Sequence, residues 1–158
     1  MPKISTCLWF GSNGVEATEY YASLFDDSEI TQIMVDPGGN PHTTEGEDLV
    51  VHFRLQDQEF QIINGGPMFQ LDEAVSIVLE CETQEEADRY YTELAREGSE
   101  QPCGWVRDKF GLSWQIVLAE VNRLYMHPDR AVARRAVEAM LTMTRLDSVA
   151  MRKAALGQ

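Results

Sequence analysis

Residues 17–24 read ATEYYASL, and residues 87–94 read ADRYYTEL. The pattern A-x-x-Y-Y-x-x-L therefore occurs twice, and each copy places its apolar and aromatic residues at helical spacing. Asn13 with Glu16 precedes the first copy, and Thr83 with Glu86 the second. A short acceptor side chain followed three positions later by a carboxylate predicts a capping box at both helix starts. The likeness extends outward. Thr6 and Ser76 open apolar runs at the same offset, and Phe60-Gln61-Ile62-Ile63 is echoed by Trp114-Gln115-Ile116-Val117. The chain is built twice from one unit, and such a chain tends to carry its chemistry where equivalent positions meet.

Around the first helix, Ile4 to Phe10 reads as a strand that stops at Gly11. Asn13 to Phe25 is a helix whose apolar face carries Ala17, Tyr20, Tyr21 and Leu24. Glu29 to Asp36 is a strand closed by Pro37-Gly38-Gly39-Asn40-Pro41. Asp48 to Leu55 alternates, with Leu49, Val51, Phe53 and Leu55 on one face and Val50, His52 and Arg54 on the other. A turn at Asp57-Gln58 leads into the strand Glu59 to Ile63, which Asn64-Gly65-Gly66-Pro67 ends. The order is β-α-β-β-β. The second unit repeats it: Ala74 to Cys81, helix Gln84 to Glu97 stopped by Gly98, a brief strand near Glu100 to Pro102, then Gly104 to Lys109 and Ser113 to Leu118 around Phe110-Gly111. The loop from Pro37 to Gly46 is an extra of the first unit.

From Glu120 the period turns helical. Pro128 suits a first helical turn, and Val132, Ala133, Ala136, Val137, Met140 and Leu141 form an apolar stripe. The duplicated part already accounts for its own faces, so the stripe is expected to pack across a dimer or over the outside of a sheet. The expected organisation is a paired domain over residues 1–118 (unit one 1–67, unit two 74–118) and a helical extension over 119–158.

The chain has 158 residues and a net charge of −13. Residues 1–120 hold 6 Lys/Arg against 23 Asp/Glu, whereas residues 121–158 hold 7 against 3. An acidic body argues against nucleic acid or an anionic membrane as partner, since both require a cationic footprint. It suits a cationic ligand. The basic tail is expected to dock on acidic protein surface or to present a solvated helix face. No run approaches the roughly 20 apolar residues of a membrane span, and the N-terminus lacks the apolar stretch of a signal peptide. A cytoplasmic protein is expected. Cys7, Cys81 and Cys103 show no C-x-x-C spacing, which predicts neither a disulfide framework nor a zinc knuckle.

Five motifs refine the picture: Leu8-Trp9-Phe10, Asn64-Gly65-Gly66-Pro67, Cys81-Glu82-Thr83-Gln84-Glu85-Glu86, Cys103-Gly104-Trp105 and Ser113-Trp114-Gln115-Ile116-Val117. With them, the paired units resemble the vicinal-oxygen-chelate superfamily of glyoxalase and bleomycin-resistance proteins. More narrowly, they resemble its PhnB-like branch, whose members often carry the label 3-demethylubiquinone-9 3-methyltransferase domain. The tail, with Pro128-Asp129 and Ala139-Met140-Leu141-Thr142-Met143, is similar to that of the branch. The resemblance implies an α+β fold of two tandem βαβββ units forming a half-barrel with a C-terminal helical extension. It also implies homodimers.

In the superfamily's metalloenzymes, four ligands come from the first and last strands of each unit. Laid on this chain, those positions are Thr6, Gln61, Ser76 and Gln115. Neutral hydroxyls and amides are poor ligands for first-row metals, so no metal and no cofactor are expected. Gly11-Ser12-Asn13-Gly14 is too short for a methyl-donor loop and reads as a helix cap. Neither Cys7 nor Cys103 has a histidine placed beside it to activate a thiolate, and no catalytic set is identifiable. The expected role is binding a small organic ligand. Its cavity candidates are Thr6, Leu8, His52, Arg54, Gln61, Ile63, Ser76, Trp105, Ser113 and Gln115, with Arg54 the anion-binding group. The alternatives are a metal-dependent lyase, isomerase or dioxygenase, and an interaction protein without a ligand.

Overall fold

In a computed structural model describing residues 2–157, the chain divides into two compact units, residues 1–71 and 72–158. Unit one runs β1 (Thr6–Phe10), α1 (Gly14–Leu24), β2 (Ser28–Val35), β3 (Asp48–Leu55) and β4 (Gln58–Asn64). Its sheet has the order β1-β4-β3-β2. The β1–β4 pair is parallel and the other two are antiparallel. Unit two repeats this with β5 (Ser76–Cys81), α2 (Gln84–Ala95), β6 (Ser99–Glu100), β7 (Trp105–Arg107) and β8 (Ser113–Leu118), in the order β5-β8-β7-β6. The fold is α+β, two tandem βαβββ units, as the paired tyrosine helices imply.

One face of each sheet is buried under its helix. In unit one Leu8, Phe10, Val51, Phe53, Phe60 and Ile62 meet Ala17 and Tyr21. Phe53 stacks between Tyr21 and Phe60 at centroid distances of 6.3 and 5.2 Å. In unit two Trp114, Ile116, Leu118 and Val106 lie beneath Ala87, Tyr90, Tyr91 and Leu94. The Tyr91 hydroxyl donates to the carbonyls of Trp105 (2.9 Å) and Gln101 (3.2 Å), pinning the helix to β7.

The two helix starts differ from the expected pair of capping boxes. Thr83 accepts from the Glu86 N–H at 3.2 Å, but the Glu86 carboxylate answers to the Glu82 N–H at 3.0 Å, one residue earlier than a capping box requires. Asn13 makes no side-chain cap at all. The Gly14 N–H is instead met by the Asn64 side-chain oxygen at 2.9 Å, while the Asn64 amide donates to the Asp48 carbonyl at 2.8 Å. A residue fifty positions away thus caps α1. Gly14 is required for that approach, since a β-carbon there would stand 2.6 Å from Ile62 and 2.7 Å from the Asn64 oxygen.

Gly98 does not end α2 in a left-handed cap. Its φ is ordinary, and the helix closes at Arg96 in right-handed geometry. Glycine is demanded there by packing: a β-carbon would meet the Arg107 carbonyl oxygen at 2.0 Å.

The tail forms α3 (Ala119–Tyr125), α4 (Arg130–Met140) and α5 (Ser148–Leu156). Pro128 lies before the cap rather than inside the first turn, and Asp129 caps α4 by accepting from the Ala131 N–H. The α4 stripe does have a partner within its own unit. It packs on α3 and α5, burying Val132 and Ala136, while Val137 and Leu141 stay exposed. The segment between α4 and α5 is tied to unit two. Cys103 and Gly104, both left-handed, donate to the Met143 and Thr144 carbonyls at 2.8 and 2.7 Å. Gln84 bonds the Leu146 carbonyl and the Ser148 N–H. Arg145 reaches Glu100 and Thr92 and lies 4.6 Å over the Tyr91 ring, so the basic tail meets acidic surface of its own unit. No helix among the described residues is long and apolar enough to cross a membrane.

Candidate functional site

Neighbours across a sheet project to the same side, so the strand register sorts the candidate residues. In unit one Gln61 lies between Cys7 and His52, and Ile63 between Trp9 and Val50. Cys7, Gln61, His52 and Gln32 form one row on the face turned away from α1. Arg54 is on this face too, paired with Glu29 and Glu59. Thr6 and Leu8 are not. They share the helix-covered face with Phe10, and Leu8 is buried there. The structure therefore brings His52, Arg54, Gln61 and Ile63 together and separates Thr6 and Leu8 from them.

Arg54 is already engaged. Its guanidinium donates to the Asp27 carbonyl (3.1 Å), the Asp27 carboxylate (3.0 Å) and the Glu29 carboxylate (3.1 Å). These bonds push its pKa up, and the Arg54 hydrogen bond holds the Asp27 carboxyl below the usual range. Trp9 is fixed by its own bond to the Gly66 carbonyl (2.9 Å) and by an edge contact with Phe69.

In unit two the candidates all share one face. Ser76 neighbours Ser113, which neighbours Arg107; Gln115 lies between Val78 and Trp105. The Gln115 amide donates to the Ser76 hydroxyl at 2.8 Å. Ser113 is fully buried and its hydroxyl has no partner, nor has the Arg107 Nε. Arg107 pairs with Glu73 through its terminal nitrogen, and Gln101 joins the same carboxylate.

The register corrects one equivalence between the units. The burial alternation aligns Gln61 with Gln115, and their parallel-strand partners are Cys7 and Val78. Thr6 then corresponds to Ile77, and Ser76 to Ser5. Between β1 and the cap Asn13 stand Gly11 and Ser12, whereas only Glu82 stands between β5 and Thr83. One extra residue in that link shifts the first strand against the helix repeat.

A wide opening in unit one lies elsewhere, in the loop the sequence marks as an extra. A pocket of about 810 Å³ is lined by residues before and within the first turn of α1, by Asp36, by residues 42–44 and 46–49, and by Asn64, Gly66 and Pro67. Sequence reasoning missed Asp36, Thr43 and Asn64 as site residues. The signal available for them was the Pro37–Gly46 insertion itself, because long loops on a rigid scaffold often carry function.

The donor set does not fit the superfamily's metal. Among the described residues no three His, Cys, Asp or Glu side chains converge to hold an ion. Cys7 and His52 lie two strand spacings apart, roughly 9.5 Å, with Gln61 between them. In unit two the polar pair at the ligand positions is spent on itself. Nor does a methyl-donor site fit. Such a site is expected in a glycine-rich turn after a parallel strand of a doubly wound sheet, whereas here Gly11-Ser12-Asn13 links β1 to α1 beside a largely antiparallel one.

Residues 2–117 match the family described as 3-demethylubiquinone-9 3-methyltransferase. The PhnB protein from Bacillus cereus is 36% identical over 75% of this chain and 100% of that chain, with a TM-score of 0.66. A crystal structure of a protein from Pseudomonas aeruginosa is 22% identical, covers 75% of this chain and 98% of its own, and gives a TM-score of 0.58. A glyoxalase/bleomycin resistance protein from Albidiferax ferrireducens T118 is also similar, at 16% identity over 71% of this chain and 96% of its own, with a TM-score of 0.41. No curated protein matches. From the match over both units and the identity to the Bacillus protein, the chain belongs to the 3-demethylubiquinone-9 3-methyltransferase family, in its PhnB-like branch.

Proposed function

We propose that the protein binds a small organic molecule, without a metal, on the sheet faces turned away from α1 and α2. The observation that carries this reading is the polar set of unit two. Ser76 and Gln115 are hydrogen-bonded to one another, and beside them Ser113 holds a buried hydroxyl with no partner. Burying an unsatisfied hydroxyl costs about 1–3 kcal/mol, a cost that a ligand group reaching Ser113 would remove. Neutral hydroxyls and an amide can orient such a ligand but cannot offset a divalent ion. Trp105 and Val78 add the apolar contact that small-molecule sites use. His52 and Gln61 form the corresponding row of unit one, with Ile63 on the same face one row away. That no three His, Cys, Asp or Glu side chains converge among the described residues supports this reading over metal-dependent lyase, isomerase or dioxygenase chemistry.

The reading includes a homodimer in a reducing, cytoplasmic setting, and residues 119–158 as an extension appended to a paired domain over 1–118. Ile33, Met34 and Val35 are exposed on edge strand β2 and supply the apolar surface for pairing. The three free cysteines suit a reducing compartment.

A thermal-shift screen of untagged protein against metals and small organic compounds tests the proposal. A compound that raises the melting temperature in proportion to its occupancy is the expected outcome, with the shift lost in Gln115→Leu. Stoichiometric zinc, manganese, nickel or iron in the purified protein would overturn it.

A further inference from the structure

Asp36 closes β2 and is only 3% exposed, yet half of its carboxylate has nothing to bind. Its backbone is fully used: the N–H donates to the Glu47 carbonyl at 2.8 Å, and the carbonyl accepts from the Gly46 N–H at 3.0 Å. One carboxylate oxygen accepts from the Gly38 N–H at 2.7 Å. The other, Oδ2, has no partner, and neither has the buried hydroxyl of Thr43. Both residues line the 810 Å³ pocket of unit one. An ionised carboxylate withdrawn from water needs a cation or donors on both oxygens, because the desolvation of an unmatched charge amounts to several kcal/mol.

The rest of the wall has the same sign. Glu16, Asp36, Glu47 and Asp48 line the pocket, and no lysine or arginine does; His42 is the sole basic side chain there. The start of α1 contributes about half a positive charge, far less than four carboxylates, and the Gly14 N–H is already taken by Asn64. An anion is therefore disfavoured. A divalent metal is disfavoured as well, since no three acidic, histidine or cysteine side chains converge among the described residues and such ions require several oxygen ligands at once. What remains is an organic cation that brings its own N–H donors and enough carbon to occupy the volume.

We propose that this pocket is a binding site for a small organic cation, a primary ammonium or an amidinium, whose N–H groups fill Asp36 Oδ2 and the Thr43 hydroxyl. The site stands apart from the sheet faces of the preceding proposal and neither depends on the other. Gly38, Gly39 and Gly46, all with positive φ, shape the loop that carries these groups. The Asp36 backbone bonds to Gly46 and Glu47 close that loop at its base.

Titration of the full-length protein with benzylammonium, followed by calorimetry and amide NMR, tests the assignment. Benzyl alcohol and benzoate serve as uncharged and anionic controls of similar shape. Benzylammonium is expected to bind at least about tenfold more tightly than benzyl alcohol, because only the cation can pair with the buried carboxylate. The amides of Gly38, Thr43, Gly46 and Glu47 should shift, and those of Ser76 and Gln115 should not. Asp36→Asn should weaken binding by about tenfold or more, and Thr43→Val, which leaves the carboxylate in place, by a few-fold. Thr43→Val and the wild-type amide shifts keep the test decisive if Asp36→Asn fails to fold. Equal affinity for the alcohol, or unshifted loop amides at millimolar benzylammonium, would overturn the proposal. Shifts confined to Ser76 and Gln115 would also overturn it while supporting the sheet-face site.

Discussion

Replacing Asp108 by asparagine should destabilise unit two by about 2–4 kcal/mol, although it changes one atom. Asp108 is 3% exposed in the turn between β7 and β8. One carboxylate oxygen accepts from the Phe110 N–H (2.9 Å) and the Leu112 N–H (3.0 Å); the other accepts from the Trp114 indole at 2.8 Å. In the variant the amide oxygen must stay with the two backbone donors, so its NH₂ faces the indole N–H. A charge-assisted bond worth about 1.5–3 kcal/mol disappears, and the buried indole N–H is left unmatched at about 1–3 kcal/mol more. Removing the desolvation of a carboxylate returns part of this, which gives the net figure. For a chain of this length the melting point should fall by roughly 5–15 °C. Urea denaturation followed by tryptophan fluorescence measures the loss, with Trp114 as a local reporter. Repeating the substitution in a Trp114→Phe background closes a double-mutant cycle, and a coupling of about 2 kcal/mol is expected. A cost below about 0.5 kcal/mol for Asp108→Asn, or the same cost with and without the indole, would refute the reasoning.

Gly98→Ala should cost about 2–4 kcal/mol through collision with the Arg107 carbonyl, whereas Gly11→Ala, with open space around it and an ordinary φ, should be near neutral; chemical denaturation compares them. Arg145→Ala should cost about 1–2 kcal/mol by releasing Glu100, Thr92 and the Tyr91 ring, and hydrogen exchange at the Cys103 and Gly104 amides should quicken. Burial first, and then Glu86, push the Cys81 thiol up to about 11 from its ordinary value of 9.0. A thiol whose folded pKa is raised contributes stability that is complete below the unfolded pKa and disappears as pH climbs through the folded one. Wild type should therefore lose roughly 2 kcal/mol between about pH 9 and 11 that Cys81→Ala does not lose, as urea midpoints across that range will report.

Much of this architecture was legible in the sequence because its signals are local. The alternation of Leu49 to Leu55 marks β3 over Asp48–Leu55, and the tyrosine pattern marks both helices. The signals that failed act over long separations. Asn13 looks like a cap, yet Asn64 performs that task from the far end of β4. Gly98 reads as a helix stop, yet the pressure on it comes from β7. The α4 stripe looked unpartnered because the helices that cover it lie on either side of it in the tail, not in the first 118 residues. Among site residues, the strand period placed His52 with Arg54, Gln61 with Ile63 and Ser113 with Gln115. The repeat between the two helices, by contrast, wrongly matched Thr6 to Ser76, because one added residue before Asn13 shifts a period-two pattern to the opposite face. Asp36 was missed for a simpler reason: nothing in a Val-Asp-Pro tripeptide tells that its carboxylate will be sealed from water.

The tie between Cys103-Gly104 and Met143-Thr144 bears on the order in which the units can form. All the strand pairs of unit one are available once residue 64 has been synthesised. Unit two cannot satisfy the amides of its Pro102–Gly104 turn until residues 143 and 144 exist, and Gln84 waits for Leu146 and Ser148. On the ribosome, one half of the duplication can therefore close early while its twin stays open until the last helices emerge. A stalled or truncated chain would hold every strand partner of the first unit while lacking those that close the second.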